Sequence, residues 1–383
     1  MVVPWAMPSH DVQSRTVEVP FVEDNGHIFL EGRINGVGPV WMTLDTGAGT
    51  AAVDVARAPE LKISGTGQVR ATGAGGAETI QMASGIEFAL PGLALPRQSA
   101  GLIPLGFISQ RVGRPIAAIL GYELFREFVV EIDYHRQRLS LHDPRTYRYQ
   151  GVGTVVPLEF DRNLPYMTAS LSMATGGVAR GQFVIDLGSN VPVMVSEAYA
   201  RTHSLLRPAD RRIDLVGRGV GGDVHLVLAR AAGLDIQGVT LAGPIVGFPR
   251  NLGGLIAAED SVGNIGAALL RRFRVTFDYS RRRMILEKTA SFGEPFESDM
   301  SGLALVTSGP RFEVVSIARI VAGTPAEQAG LRAGDRVLEV DGTPVPDVAA
   351  IRRLLRQEGR RVTLRIARGE ERLTCTVTLR RLI

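Results

Sequence analysis

The sequence predicts a mainly β protein of two similar lobes, made by internal duplication, with a small mixed domain at the C-terminus. Three observations predict it. The 44 glycines and 21 prolines fall between short apolar runs, which is the punctuation of many short strands and turns. A set of landmarks occurs twice, in the same order, before residue 290. Beyond that point the pattern changes to two helices among alternating strands.

At 383 residues the chain is too long for one ordinary core, so two or three domains are expected. Hydrophobic residues make up 45% and charged residues 21%, the balance of a globular rather than a disordered protein. No run approaches the roughly 18 to 20 apolar residues of a membrane span. Met1–Ala6 shows neither a basic n-region nor an apolar h-region, so no signal peptide is visible.

The landmarks of the repeat are specific. Val19-Pro20-Phe21 resembles Val156-Pro157-Leu158, and each opens a strand pair. Each pair leads to an apolar run ending in Asp-x-Gly, at Val40–Gly47 and at Gln182–Gly188. A glycine-rich hairpin follows each: Thr72-Gly73-Ala74-Gly75-Gly76, then Gly217–Gly222 with Gly219, Gly221 and Gly222 at its tip. Next come Ile119-Leu120-Gly121 and Asn264-Ile265-Gly266, each followed at equal spacing by an Asp-Tyr pair, Asp133-Tyr134 and Asp278-Tyr279. The expected organisation is a tail (1–15), a first lobe (16–148), a second lobe (149–290), a linker (291–300) and a C-terminal domain (301–383).

In the last domain, Thr324 is placed to cap a helix, Pro325 suits its first turn and Gly330 its end. A second helix from Asp347 to about Gln357 aligns Val348, Ile351, Leu354 and Leu355 on one face. Strands are expected at Phe312–Ile317, Arg336–Val340, Val362–Ala367 and Arg372–Leu379. The lone cysteine, Cys375, lies in one of these and reads as a half-buried structural thiol; a disulfide framework is excluded.

The net charge of +4 is uneven: residues 300–383 hold 14 arginines and 9 acids, the rest 29 basic and 30 acidic residues. These arginines alternate with acids, which describes a solvated basic surface and not a nucleic-acid site. Gly217, Gly219 and Gly222 spell G-x-G-x-x-G, but a strand-like run follows, so a dinucleotide site is rejected. The six histidines form neither an H-E-x-x-H pair nor a cluster and are expected at the surface. There is no G-x-S-x-G nucleophile elbow. No metal or cofactor is expected. Asp133 and Asp278 read as structural acids at strand ends.

A single Asp-Thr-Gly is weak evidence, because these residues are common in turns. Two Asp-x-Gly turns at matching places in a repeat are more informative, since a pseudo-twofold arrangement brings them face to face. Two adjacent carboxyls cannot both ionise cheaply and hold one proton between them. One can then activate a water while the other donates to a peptide carbonyl. The glycines after each aspartate allow close backbone approach, and glycine-tipped hairpins suit closure over an extended peptide.

On these residues the chain resembles the pepsin and retropepsin superfamily, and looks closest to bacterial retropepsin-like aspartyl proteases with a PDZ domain. The resemblance rests on Leu44-Asp45-Thr46-Gly47-Ala48, Ile185-Asp186-Leu187-Gly188-Ser189, the two hairpins and the two later glycine signatures. It implies a two-lobed acid-protease-like fold, Asp45 and Asp186 as catalytic residues, Thr46, Gly47, Gly188 and Ser189 in support, and flap roles for the hairpin glycines. In the family a hydroxyl follows each catalytic aspartate and locks the two turns together; Thr46 fits and Leu187 departs, with Ser189 as a partial substitute. The Pro325–Leu331 run followed by Ala333-Gly334-Asp335 resembles a bacterial PDZ domain, whose carboxylate-binding loop falls on Gly302, Leu303, Ala304 and Leu305. The implied partners are a polypeptide substrate and a peptide C-terminus, with export carried only by the resemblance. The alternative is a non-catalytic peptide-binding protein whose second lobe is degenerate.

Overall fold

The computed structural model describes residues 16–73, 76–219, 221–250, 261–345 and 347–383. Strands dominate, as the glycine- and proline-punctuated pattern predicts. Apolar alternation makes Val17–Asp24, His27–Ile34 and Val37–Leu44 into a meander. Its turns are Asn25-Gly26 and Asn35-Gly36, all four residues at positive φ, as two-residue hairpins demand.

The strand that delivers Asp45, Val37–Leu44, runs parallel to Ile116–Leu120, which pairs antiparallel with Ala51–Asp54. In the second half Val178–Asp186 runs parallel to Gly263–Gly266, which pairs antiparallel with Val193–Val195. Ala51–Asp54 is also parallel to Gln98–Ile103, and Val193–Val195 to Ile245–Arg250. Each aspartate thus sits at the end of an apolar strand flanked on one side by a parallel partner.

A third set of strands joins the halves. Val17–Asp24, Val129–Asp133 and Arg138–His142 come from the first; Thr154–Pro157, Phe273–Asp278 and Arg283–Lys288 come from the second. The seam is antiparallel, with Val130 opposite Phe277 and Ile132 opposite Val275. Tyr122, Phe125, Phe160 and Phe277 all pack there against Tyr279, with Phe125 stacked on it at 5.4 Å. One buried apolar cluster therefore runs through both halves.

Asp133 and Asp278 act as structural acids. Asp133 accepts the Arg136 N–H at 2.9 Å, and the fully buried Asp278 accepts from Ser280, Arg281 and Arg283.

Residues 291–300 are more ordered than a linker composition suggests. The Arg272 guanidinium donates to the carbonyls of Ser291, Glu294 and Pro295 and lies 3.6 Å from the centre of the Phe296 ring. The C-terminal sheet then runs in the order Leu303–Ser308, Val314–Ile320, Arg336–Val340, Arg361–Arg368, Glu371–Thr378 over its own apolar core. Its helices are Pro325–Gln328 and Val348–Leu354. Asp347 caps the second through the Ala350 N–H, but Thr324 does not cap the first: its hydroxyl donates to the Val321 carbonyl at 2.6 Å. Cys375 is half-buried in the last strand.

Candidate active site

The two parallel strand pairs aim Asp45 and Asp186 at each other. Gly47 N–H donates to Asp45 Oδ1 at 2.7 Å. Gly188 N–H is shared, reaching Asp45 Oδ1 at 3.1 Å and Asp186 Oδ1 at 2.9 Å. A single amide can bridge two carboxyls only when their oxygens are neighbours. The carboxyls also hydrogen-bond to one another.

Burial and the facing Asp186 push the Asp45 carboxyl up to about 8. Burial also raises Asp186, opposed by hydrogen bonds from Asn264, Asp45 and the Gly188 and Ser189 backbone. Each glycine is required by the aspartate opposite: a Cβ on Gly47 would lie 2.7 Å from Asp186 Oδ1, and one on Gly188 2.3 Å from Asp45 Oδ2. Gly121 and Gly266 also have no room for a side chain. Their Cβ atoms would meet the Ala48 carbonyl at 2.3 Å and the Val191 carbonyl at 2.1 Å.

Thr46 fastens the turns together. Its buried hydroxyl donates to the Ile185 carbonyl at 2.7 Å and accepts the Leu187 N–H at 3.0 Å. Leu187 sends no hydroxyl back; its side chain is fully buried in the apolar core. Ser189 does not take over that role among the described hydrogen bonds, where its backbone N–H bonds the Asp186 carbonyl at 3.2 Å. The lock is one-sided, and apolar burial of Leu187 replaces its other half. Thr46→Val is therefore expected to cost about 2–4 kcal/mol, because it strands a buried donor and a buried acceptor at once. Denaturant unfolding reads this directly, and a cost under about 0.5 kcal/mol would show that the hydroxyl is not what joins the turns.

Two residues at the site are missed by pattern reading. Asn264 donates from Nδ2 to Asp186 Oδ2 at 2.6 Å. The signal is present in the sequence: Asn264 occupies the place that Ile119 holds in the first glycine signature. His27, expected at the surface, is half-buried with the Leu187 backbone as its hydrogen-bond partner. Burial, together with Arg111 and Arg352, lowers it to about 4.

The two hairpins form with Gly73 opposite Gly76 and Gly219 opposite Gly222. Gly221 turns at φ 92°. Gly75 lies outside the described residues. The second hairpin is tied to the C-terminal domain, where Arg319 donates to the Val216 carbonyl at 3.0 Å.

The expected carboxylate loop differs from expectation. Gly302 turns at φ 86°, but Leu303, Ala304 and Leu305 belong to the edge strand. The Gly302 N–H is taken by Asp299, and the Leu303 N–H by the Ser301 hydroxyl at 3.1 Å. The C-terminal end of the first-half helix Gly106–Val112 lies against this strand. Thr307 donates to the Gln110 carbonyl at 2.7 Å, and Gly113 faces both Thr307 and Val348. Arg352 reaches across to the Leu305 carbonyl at 3.0 Å.

Residues 30–124 match the family model described as aspartyl protease, and residues 316–368 match that of a PDZ domain. The first match includes Asp45 and stops short of Asp186. A 70-residue stretch is 41% identical to a protein of Synechocystis sp. (strain ATCC 27184 / PCC 6803 / Kazusa) named "Putative serine protease HhoA". That stretch is 18% of this chain and 18% of the relative, so the chain spans under a fifth of its length. Among solved structures, the aspartic proteinase from Irpex lacteus is similar over 73% of this chain and 99% of its own, at 14% identity and a TM-score of 0.42. The HtrA3 PDZ domain bound to a phage-derived ligand is similar over 21% of this chain and 83% of its own, at 18% identity and a TM-score of 0.20.

Proposed function

We propose that this chain, which carries an aspartyl protease segment followed by a PDZ domain, is an aspartic endopeptidase. Its two lobes, 16–148 and 149–290, arise by duplication, and the 301–383 domain positions substrate. The observation that carries this reading is the single Gly188 N–H bonded to both Asp45 and Asp186.

The reaction uses one water and one shared proton. The ionised carboxylate takes a proton from the water as its oxygen bonds to the peptide carbonyl carbon. The protonated carboxyl gives its proton to the carbonyl oxygen, forming a gem-diol. The newly protonated carboxyl then delivers its proton to the amide nitrogen. As the C–N bond breaks, the other carboxyl recovers a proton from the diol. The dyad returns to its starting state, and no covalent intermediate is formed. Thr46 keeps the two halves of this machinery in register across the lobes.

The test is cleavage of a diverse peptide library between pH 4 and 9, read by mass spectrometry beside Asp45→Asn and Asp186→Asn. Activity should be lost as pH rises through about 8, where the shared proton leaves Asp45. Both variants should be inactive across the range. A wild type that cuts nothing, or variants that still cut, would favour a peptide-binding groove without turnover.

The PDZ domain is proposed to take a peptide at its Leu303–Ser308 edge, where an added strand would pair. The Gly106–Val112 helix covers that edge, so binding has to displace it. Thr307→Ala removes one tie and is expected to tighten binding of C-terminal peptides about three- to tenfold, the worth of one hydrogen bond. Unchanged affinity by fluorescence anisotropy would mean that this contact does not gate the edge.

A further inference from the structure

The two aspartates do not have equivalent surroundings. Asp45 Oδ1 accepts two backbone N–H groups, from Gly47 and Gly188. No N–H or O–H of another residue donates to Asp45 Oδ2 in the hydrogen bonds of the described residues. Asp186 is different: Oδ1 accepts from Gly188 and Oδ2 accepts from Asn264 Nδ2 at 2.6 Å. An amide NH₂ can only donate, so the oxygen it meets must offer a lone pair.

We propose that Asn264 is a positioning residue that keeps the dyad's single proton on Asp45 Oδ2 and holds Asp186 as the ionised partner. This rests on the dyad reading above and deepens it, because it assigns the two roles. Asp186 becomes the group that deprotonates water, and Asp45 the group that protonates the carbonyl oxygen.

Two further observations favour a functional over a packing role. Asn264 is only 2% exposed, and its Oδ1 has no hydrogen-bond partner among the described residues. Leaving a buried acceptor unpaired costs about 1–3 kcal/mol. The corresponding position of the first half, Ile119, is apolar and buried, so the fold accommodates a hydrocarbon there. A packing role alone gives no reason for an amide at residue 264.

The other titratable groups around the pair do not break the symmetry in its place. Tyr279 is held neutral by burial, with Tyr122 and Asp45 adding to the effect. His27, at the Leu187 backbone, is neutral above about pH 4. Among the described residues, no cation shifts either carboxyl.

The test uses the full-length chain and a readout that does not require turnover. Aspartate side-chain carboxyl carbons are labelled with 13C and titrated by NMR in wild type and in Asn264→Leu. Asp45→Asn and Asp186→Asn assign the signals. In wild type, Asp186 should titrate below Asp45. In Asn264→Leu its midpoint should rise by about one pH unit, as expected for loss of one charge-assisted hydrogen bond. Where the enzyme turns over, the acid limb of kcat/KM should move up by the same amount, so that activity one pH unit below the wild-type limb falls about tenfold. Asn264→Ser, too short to reach Asp186, should show the same shift and guards against a folding defect of the leucine. An unmoved Asp186 midpoint in a folded variant overturns the proposal. Failure of the dyad reading is separate: it shows as cleavage that survives in Asp45→Asn or Asp186→Asn.

Discussion

Asp45→Asn is expected to abolish cleavage and, at neutral pH, to make the fold more stable. The loss of activity should be about 1,000-fold or more, because a shared proton that serves as both acid and base disappears with the carboxyl. The gain in stability follows from the raised pKa. Burial and Asp186 hold Asp45 near 8, against about 3.9 for an aspartate in the unfolded chain. Between those two values the folded protein keeps a proton that the unfolded chain has released. Stability therefore falls as pH rises through that window, and the whole cost is present above about 8. Asparagine has the same shape and cannot ionise, so it removes the penalty. The expected gain is on the order of 1–3 kcal/mol at pH 7.5 and close to nothing at pH 4. Thermal unfolding of wild type and variant at both pH values measures this. A variant less stable than wild type at pH 7.5 would mean that Asp45 is an ordinary paired carboxylate.

Gly188→Ala is expected to reduce kcat/KM by at least about 100-fold while the protein stays folded. The added Cβ would lie 2.3 Å from Asp45 Oδ2 and 2.7 Å from Oδ1, so the carboxyl or the turn has to move. Displacements near 1 Å at a reacting centre cost about that much. The clash is with the opposite carboxyl and not with the backbone conformation, since Gly188 is not among the positive-φ glycines. Gly293→Ala is the control, because a Cβ there meets no described residue within 4 Å. Wild-type activity in Gly188→Ala would show that the carboxyls are further apart during turnover than the shared Gly188 N–H implies.

Much of the architecture is legible in local pattern. The glycine-tipped hairpins, the alternating strands and the helix that starts at Asp347 follow from turn chemistry and side-chain period. The meeting of Asp45 and Asp186 is legible as well, since recurrence of Asp-x-Gly after an apolar strand implies a pseudo-twofold partner. The aspartyl protease and PDZ resemblances come from such short runs. Thr324 shows the limit of this reasoning: a good capping residue in a good place uses its hydroxyl on Val321 instead.

What the sequence determined by itself is therefore the mainly β character, the glycine-tipped hairpins and the two aspartates at matching strand ends, though not every strand: Leu303, Ala304 and Leu305, read as a loop, lie in an edge strand. These depend on residues within one hairpin or one repeat of a pattern. Only the tertiary structure decided what lies across the gaps. Asn264 reaches Asp186 because Gly263–Gly266 runs beside Val178–Asp186. Leu187 is buried in the core behind the turn. Arg272 holds the carbonyls of Ser291, Glu294 and Pro295, and the edge strand Leu303–Ser308 lies against the Gly106–Val112 helix. Such contacts join residues tens to hundreds of positions apart, and no local period or turn preference carries them. They follow from which sheet faces pack together, which is set by burial over the whole molecule.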